Sequence, residues 1–465
     1  MTASAETTTL VPTPASFADV PAFIRELTFA DLPDDVVAQA QRCLLDLIGV
    51  AAAGSRTPAA AIVTAYAVTQ LRARDSEARI LFDGRRASMA GAAFAGATTI
   101  DAIDAHDGHV LTKGHAGVAV LPALLAYIDG GAGARAANDG REFLLCLVLG
   151  YEIATRAGIA LHATVPDYHC SGAWNALACA ALGGRLLGFD DVRLRHALGI
   201  AEYFGPRGQI LRVCSYPTML KDGSGWGAHA GVTAALLARD GFTGAPALTV
   251  ERDDAHPFWQ DLGTRWRIRE QYFKAYPVCR WAQPAIEATL SLTRSHRLSA
   301  DDVVGIGIES FREAIDLGSQ CRFPATTDEA QYSVTFAVAA ALAFGRLGAD
   351  EIDAEGLANP RVKRLLETMT LNEDAEFSRR FPAERWARVH ITLRDGRTLV
   401  SDPERARGNP ENPLADDELR TKYRELAVPA LGADCATRIE SAVATLVNTP
   451  ASVATLINEL LRPIG

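Results

Sequence analysis

Between Asp101 and His115 the chain crowds Asp101, Asp104, His106, Asp107, His109 and His115 into fifteen positions, directly ahead of an apolar run. Imidazoles titrate near neutral pH, and carboxylates beside them orient the ring and stabilise its charged form, so the stretch suits general acid–base chemistry. Three His and three Asp could also serve as a metal ligand set. Yet no HxxxH or HExxH pair shares a helix face, and the intervening glycines place the cluster on a loop, so no metal is expected. Three further signals are weaker. His169 precedes Ser171-Gly172 and an apolar helix, and Lys221 opens a Gly-rich run before another helix, where backbone N–H groups can approach an anion. Lys274 stands among aromatics in YFKAYP, where burial would lower its pKa and make it a base. Arg280, after Cys279, precedes a Pro-started helix, and its guanidinium could grip a carboxylate through two hydrogen bonds. Each has a plain structural reading as well: a capping histidine, a surface lysine, a lysine stem laid over aromatic surface.

The elements that must position these residues fall into two textures. Residues 1–18 read as a disordered Thr/Pro/Ala tail. From Val20 to about Asp261 apolar residues recur at helical spacing, as in DDVVAQAQRCLLDLIGVAAAG and REFLLCLVLGYEIATRAGIAL. Their abundant Ala and Gly predict a tightly packed bundle. After Trp266 the pattern changes. VVGIGIES (303–310) reads as a strand, and RVHITLRDGRTLVSD (388–402) as a hairpin turning at Asp395-Gly396. Between them, QYSVTFAVAAALAFGRLG and PRVKRLLETM read as helices. Helical character returns after residue 403. The expected fold is mainly α with an α+β second domain: an all-helical domain over 19–266 and 404–465, and a smaller α/β lid over 267–403.

Bulk properties exclude several classes. A formal net charge of −10 and the lack of a basic stripe argue against a nucleic-acid partner. No run offers about 20 uninterrupted apolar residues, so no membrane span is expected, and the polar N-terminus lacks the pattern of a signal peptide. The eight cysteines are dispersed, without a CxxC pair, which excludes the common zinc and redox motifs and suits a reducing cytoplasm.

Taken in order, these segments resemble the MmgE/PrpD family over nearly the whole chain from about residue 20. The resemblance rests on Asp104-Ala105-His106-Asp107-Gly108 closing on His115-Ala116-Gly117, on His169 before its small-residue turn, and on the Lys221 loop. It continues through Lys274-Ala275-Tyr276-Pro277-Val278-Cys279 and DEAQYSVTFAVAAAL. Its most specific part is Arg407-Gly408-Asn409-Pro410-Glu411-Asn412-Pro413-Leu414 followed by a helix. The chain departs from the family pattern at Ala116, at Ser224, at Cys279 where the decarboxylases have His, and at Phe336 where they have Tyr. These departures point away from cis-aconitate as the substrate.

The resemblance implies a helical domain with an α/β lid, a homodimer, and no metal or organic cofactor. It also implies dehydration, decarboxylation or epimerisation beside a carboxylate of a small di- or tricarboxylic acid. The expected reaction is dehydration or hydration, with His115 and Lys274 as proton donor and acceptor on opposite faces of the substrate. Asp104 and Asp107 would orient histidines, and His169, Lys221 and Arg280 would bind carboxylates, with His109 and Cys279 also at the substrate. An epimerase of an amino- or hydroxy-dicarboxylate, which the loss of a tyrosine hydroxyl at Phe336 favours, and a catalytically retired carboxylate-binding protein are the alternatives.

Overall fold

A computed structural model describes residues 17–464; all but the last two residues of the expected N-terminal tail lie outside them. Phe17 and Ala18 are within, and Phe17 packs edge-on against Phe23, ring centroids 5.0 Å apart. Asp19 then caps the first helix, accepting a hydrogen bond from the Ala22 N–H at 2.8 Å.

The helical part is built around Gly140–Thr164, whose 25 residues are buried on nearly every side. Gly117–Asp129 and Gly172–Leu186 pack against it, and Met89–Asp101 and Ser224–Arg239 close the layer. Small residues set these distances. A Cβ on Gly227 would stand 2.6 Å from the Cα of Gly172, and one on Gly117 would meet the Tyr151 hydroxyl at 2.0 Å. The backbones therefore touch where larger side chains would hold them apart.

Two helices, Asp34–Gly54 and Gly140–Thr164, are long and apolar enough to cross a membrane by length and composition alone. Their most apolar windows are 72% and 100% buried within the protein, so the other helices cover those faces.

The second texture resolves into a mixed sheet. Val303–Ser310 is central, with Met369–Glu373 parallel on one side and Trp386–Leu393 antiparallel on the other. Thr398–Val400 pairs with Trp386–Leu393 beyond a turn in which Gly396 takes φ 89°, and Glu404–Arg405 pairs with the same strand's other end. Burial alternates along Trp386–Leu393, and the covered face meets the Gln283–His296 helix. The chain then returns to the bundle: Asp416–Leu431 lies along Asp34–Gly54. There Lys422 Nζ donates to Asp46 Oδ1 at 2.6 Å and to the Ala105 carbonyl at 2.7 Å.

Candidate active site

The loop after Met89–Asp101 is held by partners from distant parts of the chain. Its two-residue strand Gly108–His109 pairs antiparallel with Gln271–Tyr272, just ahead of Lys274. The Asp104 N–H donates to Gln331 Oε1 at 2.8 Å, and Lys422 holds the Ala105 carbonyl from behind. His115 is fixed through its backbone. Its N–H donates to Ser171 Oγ at 2.9 Å, and its carbonyl accepts from Asn175 Nδ2 at 3.0 Å.

These constraints aim Asp104 and His115 into a cavity of about 140 Å³, partly open to solvent. Lys274, Cys279 and Arg280 join them there. The Lys274 ammonium bonds directly to Asp104 Oδ1 and donates to the Asp104 carbonyl at 3.1 Å. His115 Nε2 lies 3.9 Å from the same carboxylate oxygen. Lys274 and His115 thus flank one carboxylate. His115 Nδ1 contacts the Asp107 carbonyl oxygen. A carbonyl only accepts, so Nδ1 carries the proton and the neutral ring keeps its lone pair on Nε2.

Four residues singled out in the sequence lie behind the cavity wall. His109 Nδ1 accepts from the Leu111 N–H at 3.2 Å, so its Nε2 donates to Glu270 at 2.9 Å, and the ring is spent on structure. Asp107 is fully buried and accepts from the Tyr151 hydroxyl. His169 Nδ1 donates to the Arg207 carbonyl at 3.3 Å, while its neighbour Tyr168 is the one that lines the cavity. Lys221 is buried and neutralised by Asp328 at 2.9 Å, and also donates to Gln331 Oε1 at 2.9 Å. It is a strut between loops, not a free cation. Phe336 is core-packed, and three tyrosines, Tyr168, Tyr272 and Tyr332, line the cavity, so the residue at 336 does not leave the site without phenolic hydroxyls.

An MmgE/PrpD N-terminal domain model matches residues 18–256, and an MmgE/PrpD C-terminal domain model matches residues 276–448. The chain belongs to the MmgE/PrpD family. Among its relatives is a cis-aconitate decarboxylase-like protein of Aspergillus oryzae, 25% identical, with 94% of this chain and 95% of that protein covered. The cis-aconitate decarboxylase of Mus musculus is 24% identical over 90% of this chain and 88% of its own length. A 2-methylcitrate dehydratase of Cupriavidus necator is 28% identical over 48% of this chain and 50% of its own.

The electrostatics of this MmgE/PrpD cavity differ from what the sequence suggested in one decisive respect. Burial alone would lower the Lys274 pKa, but the Asp104 carboxylate outweighs it and holds the amine above its ordinary value, as an ammonium. Asp104 is lowered: burial opposes its charge, and Lys274 and His115 overcome that cost. His115 is pushed down to about 3, by burial first and then by the Lys274 charge, and is neutral at pH 7. Lys274 is therefore no base; the available base is His115 Nε2. Burial raises Asp222 to about 8, with the neighbouring Asp101 adding to the shift, so this cavity residue is largely protonated at neutral pH. Burial likewise pushes the Cys279 thiol up to about 12.

Sequence reasoning passed over Lys113, Tyr168, Tyr272, Tyr332 and Arg385, all on the cavity wall. Lys113, Tyr168 and Tyr272 each stand within two residues of one singled out. Arg385 carried no local signal at all. Asp104, His106 and His115 also offer three ligand atoms within 4.8 Å of one another. A divalent ion there would have to displace the ammonium already seated on Asp104.

Proposed function

We propose that the protein is a cofactor-free lyase that removes water beside the carboxylate of a small di- or tricarboxylic acid. The observation that carries this reading is the pairing, on one buried carboxylate, of a neutral imidazole of fixed tautomer with a charged ammonium. His115 Nε2 takes the proton from the carbon next to the substrate carboxylate. The released electron pair forms the double bond, the hydroxide departs from the adjacent carbon, and Lys274 gives it a proton. Asp104, 3.9 Å from Nε2, stabilises the imidazolium as it forms. The aci-carboxylate character of the transition state carries extra negative charge, which the cavity cations favour over the ground state. Segments 19–266 and 404–465 supply the base in this reading, and 267–403 acts as the lid that brings the ammonium.

A second reading, decarboxylation, is favoured by the names of the relatives that cover most of the chain. It needs Lys274 as proton donor to carbon but has no use for a neutral base, which is why dehydration is preferred. Two copies pairing through the exposed apolar strip of Ile62, Tyr66 and Trp226 would give the homodimer, and eight free thiols suit the cytoplasm.

The test is proton NMR of a panel of di- and tricarboxylic hydroxy acids incubated with the protein in deuterated water. Loss of water with solvent deuterium entering the carbon beside the carboxylate is expected. Carbon dioxide release without loss of hydroxyl would replace this reading by decarboxylation, inversion at carbon by epimerisation, and binding without any exchange by a non-catalytic carboxylate receptor.

A further inference from the structure

We infer that Arg280 and Arg385 together form a receptor for a second substrate carboxylate, separate from the one beside the reacting carbon. The inference rests on the lyase reading for the site it serves, and on the following geometry for its chemistry. Both guanidiniums line the cavity, and they are only 4% and 8% exposed. Arg280 Nη1 donates to the Arg407 carbonyl at 2.8 Å and the Phe273 carbonyl at 3.4 Å, and Nη2 donates to Asn409 Oδ1. Those bonds and the Tyr272 ring, 4.4 Å from Cζ, fix the plane of the group. They leave Nε, which is buried without a partner, and one N–H of Nη2 uncommitted.

Arg385 is more exposed to loss. Among the described residues it makes no hydrogen bond and no ion pair, its Nε is buried and unpartnered, and its Cζ lies 5.9 Å over the Phe381 ring. Glu411 favours the charge of both arginines from a distance, without an ion pair to either. Taking a guanidinium out of water without an acceptor is costly, and two such groups on one wall repel each other. Arg280 responds: burial, with the Arg385 charge among the further causes, lowers it to about 10.

An anion with two oxygens relieves both costs at once. A carboxylate matches the planar fork of a guanidinium and can accept from two of them. The other cavity cations do not compete for that role. Lys274 is spent on Asp104, and Lys113 sits over the Tyr168 ring at 3.7 Å. The substrate is thus a diacid at least, with one carboxylate near His115 and Lys274 and another at the arginine pair. Arg280 belongs to the segment singled out in the sequence; Arg385 is the partner that the fold supplies.

The full-length protein is titrated by calorimetry with glutarate and with butyrate, which differ by one carboxylate, for the wild type and for Arg385→Met and Arg385→Lys. Charge-assisted hydrogen bonds are worth a preference for glutarate of roughly 10- to 150-fold in the wild type. Arg385→Met is expected to erase that preference while leaving butyrate affinity unchanged. Its ligand-free melting temperature should stay level or rise, because an unpaired buried charge has been removed. Arg385→Lys should keep part of the preference, since it retains the charge but loses the fork. Equal wild-type affinity for the two acids, equal weakening of both by Arg385→Met, or a lower ligand-free melting temperature would each overturn the inference. Solvent deuterium exchange, followed on the same samples with hydroxy diacids, separates the two readings. A diacid preference without exchange sinks the lyase reading alone; exchange without a diacid preference sinks the arginine receptor alone.

Discussion

Replacing Asp104 by Asn tests the buried pair on which the proposed chemistry depends. Asp104 and Lys274 are 5% and 1% exposed, so the ammonium left behind in Asp104→Asn has neither solvent nor a carboxylate. Breaking such a pair costs about 3–5 kcal/mol when the surviving charge is retained. Lys274 can limit the loss by shedding its proton. From an ordinary value of 10.5, that costs about 1.4 kcal/mol for each pH unit below it, hence about 4.8 kcal/mol at pH 7 and about 2 kcal/mol at pH 9.

The signs of the linkage differ between the two proteins. In the wild type the folded Lys274 pKa lies above 10.5, so its contribution is fully present below 10.5 and is lost as pH rises through the folded value. Asp104 is lowered, so its contribution is present above 3.8 and is lost as pH falls through its folded value. In Asp104→Asn burial is unopposed and the folded Lys274 pKa drops below 10.5. The unfolded chain then binds more protons, and stability climbs with pH. Urea denaturation at intervals from pH 6.5 to 9 should therefore show a gap of about 3–5 kcal/mol near pH 7 that narrows towards pH 9. Turnover should fall by about 10²- to 10⁴-fold with the loss of the general acid. A gap below about 1 kcal/mol, well short of the buried-pair range, a gap independent of pH, or unchanged turnover would refute the argument.

Two further outcomes follow from the same geometry. His115 sits at about 3, below its ordinary 6.5, so its base form persists on acidification. The kcat–pH profile should show no acid limb at the ordinary histidine value, and a limb there that persists in Asp107→Asn would count against the neutral-base assignment. Dialysis against EDTA should leave turnover unchanged, because Lys274 already occupies the oxygen of Asp104 that a metal would need. Loss of turnover, restored by a divalent ion, would turn the Asp104, His106 and His115 trio into a metal site.

The acid–base loop was legible because its signal is local: six Asp and His residues within fifteen positions need no knowledge of the fold. The strand at Val303–Ser310 and the turn at Gly396 were legible for the same reason, since side-chain alternation and a left-handed glycine are properties of short segments. What failed were statements about charge. The position of Lys274 was readable, but its protonation state is set by Asp104, 170 residues earlier. Lys221 has the sequence context of an anion ligand, but Asp328, from another segment, packs against it and neutralises it. Gln331 escaped notice as an uncharged residue just ahead of an apolar run, yet it joins the Asp104 backbone, Lys221 and the Cys279 backbone. Arg385, in AERWARVH, reads as ordinary surface charge at the start of a strand, and only packing shows that it is enclosed.

The contact between Lys422 and the Ala105 carbonyl spans 317 residues, and that gives the site a timetable. At ribosomal speeds of about 5–20 residues per second, a gap of that size takes on the order of 15–60 s to synthesise. Throughout that interval the loop that carries Asp104 exists without its rear support, and Asp46 lacks the ion pair that Lys422 will later make with it. Until the Asp416–Leu431 helix has emerged, neither the Asp46 contact nor the Ala105 contact of Lys422 can form. A chain interrupted before that helix would lack the hydrogen bond that holds the Ala105 carbonyl, next to Asp104, from behind.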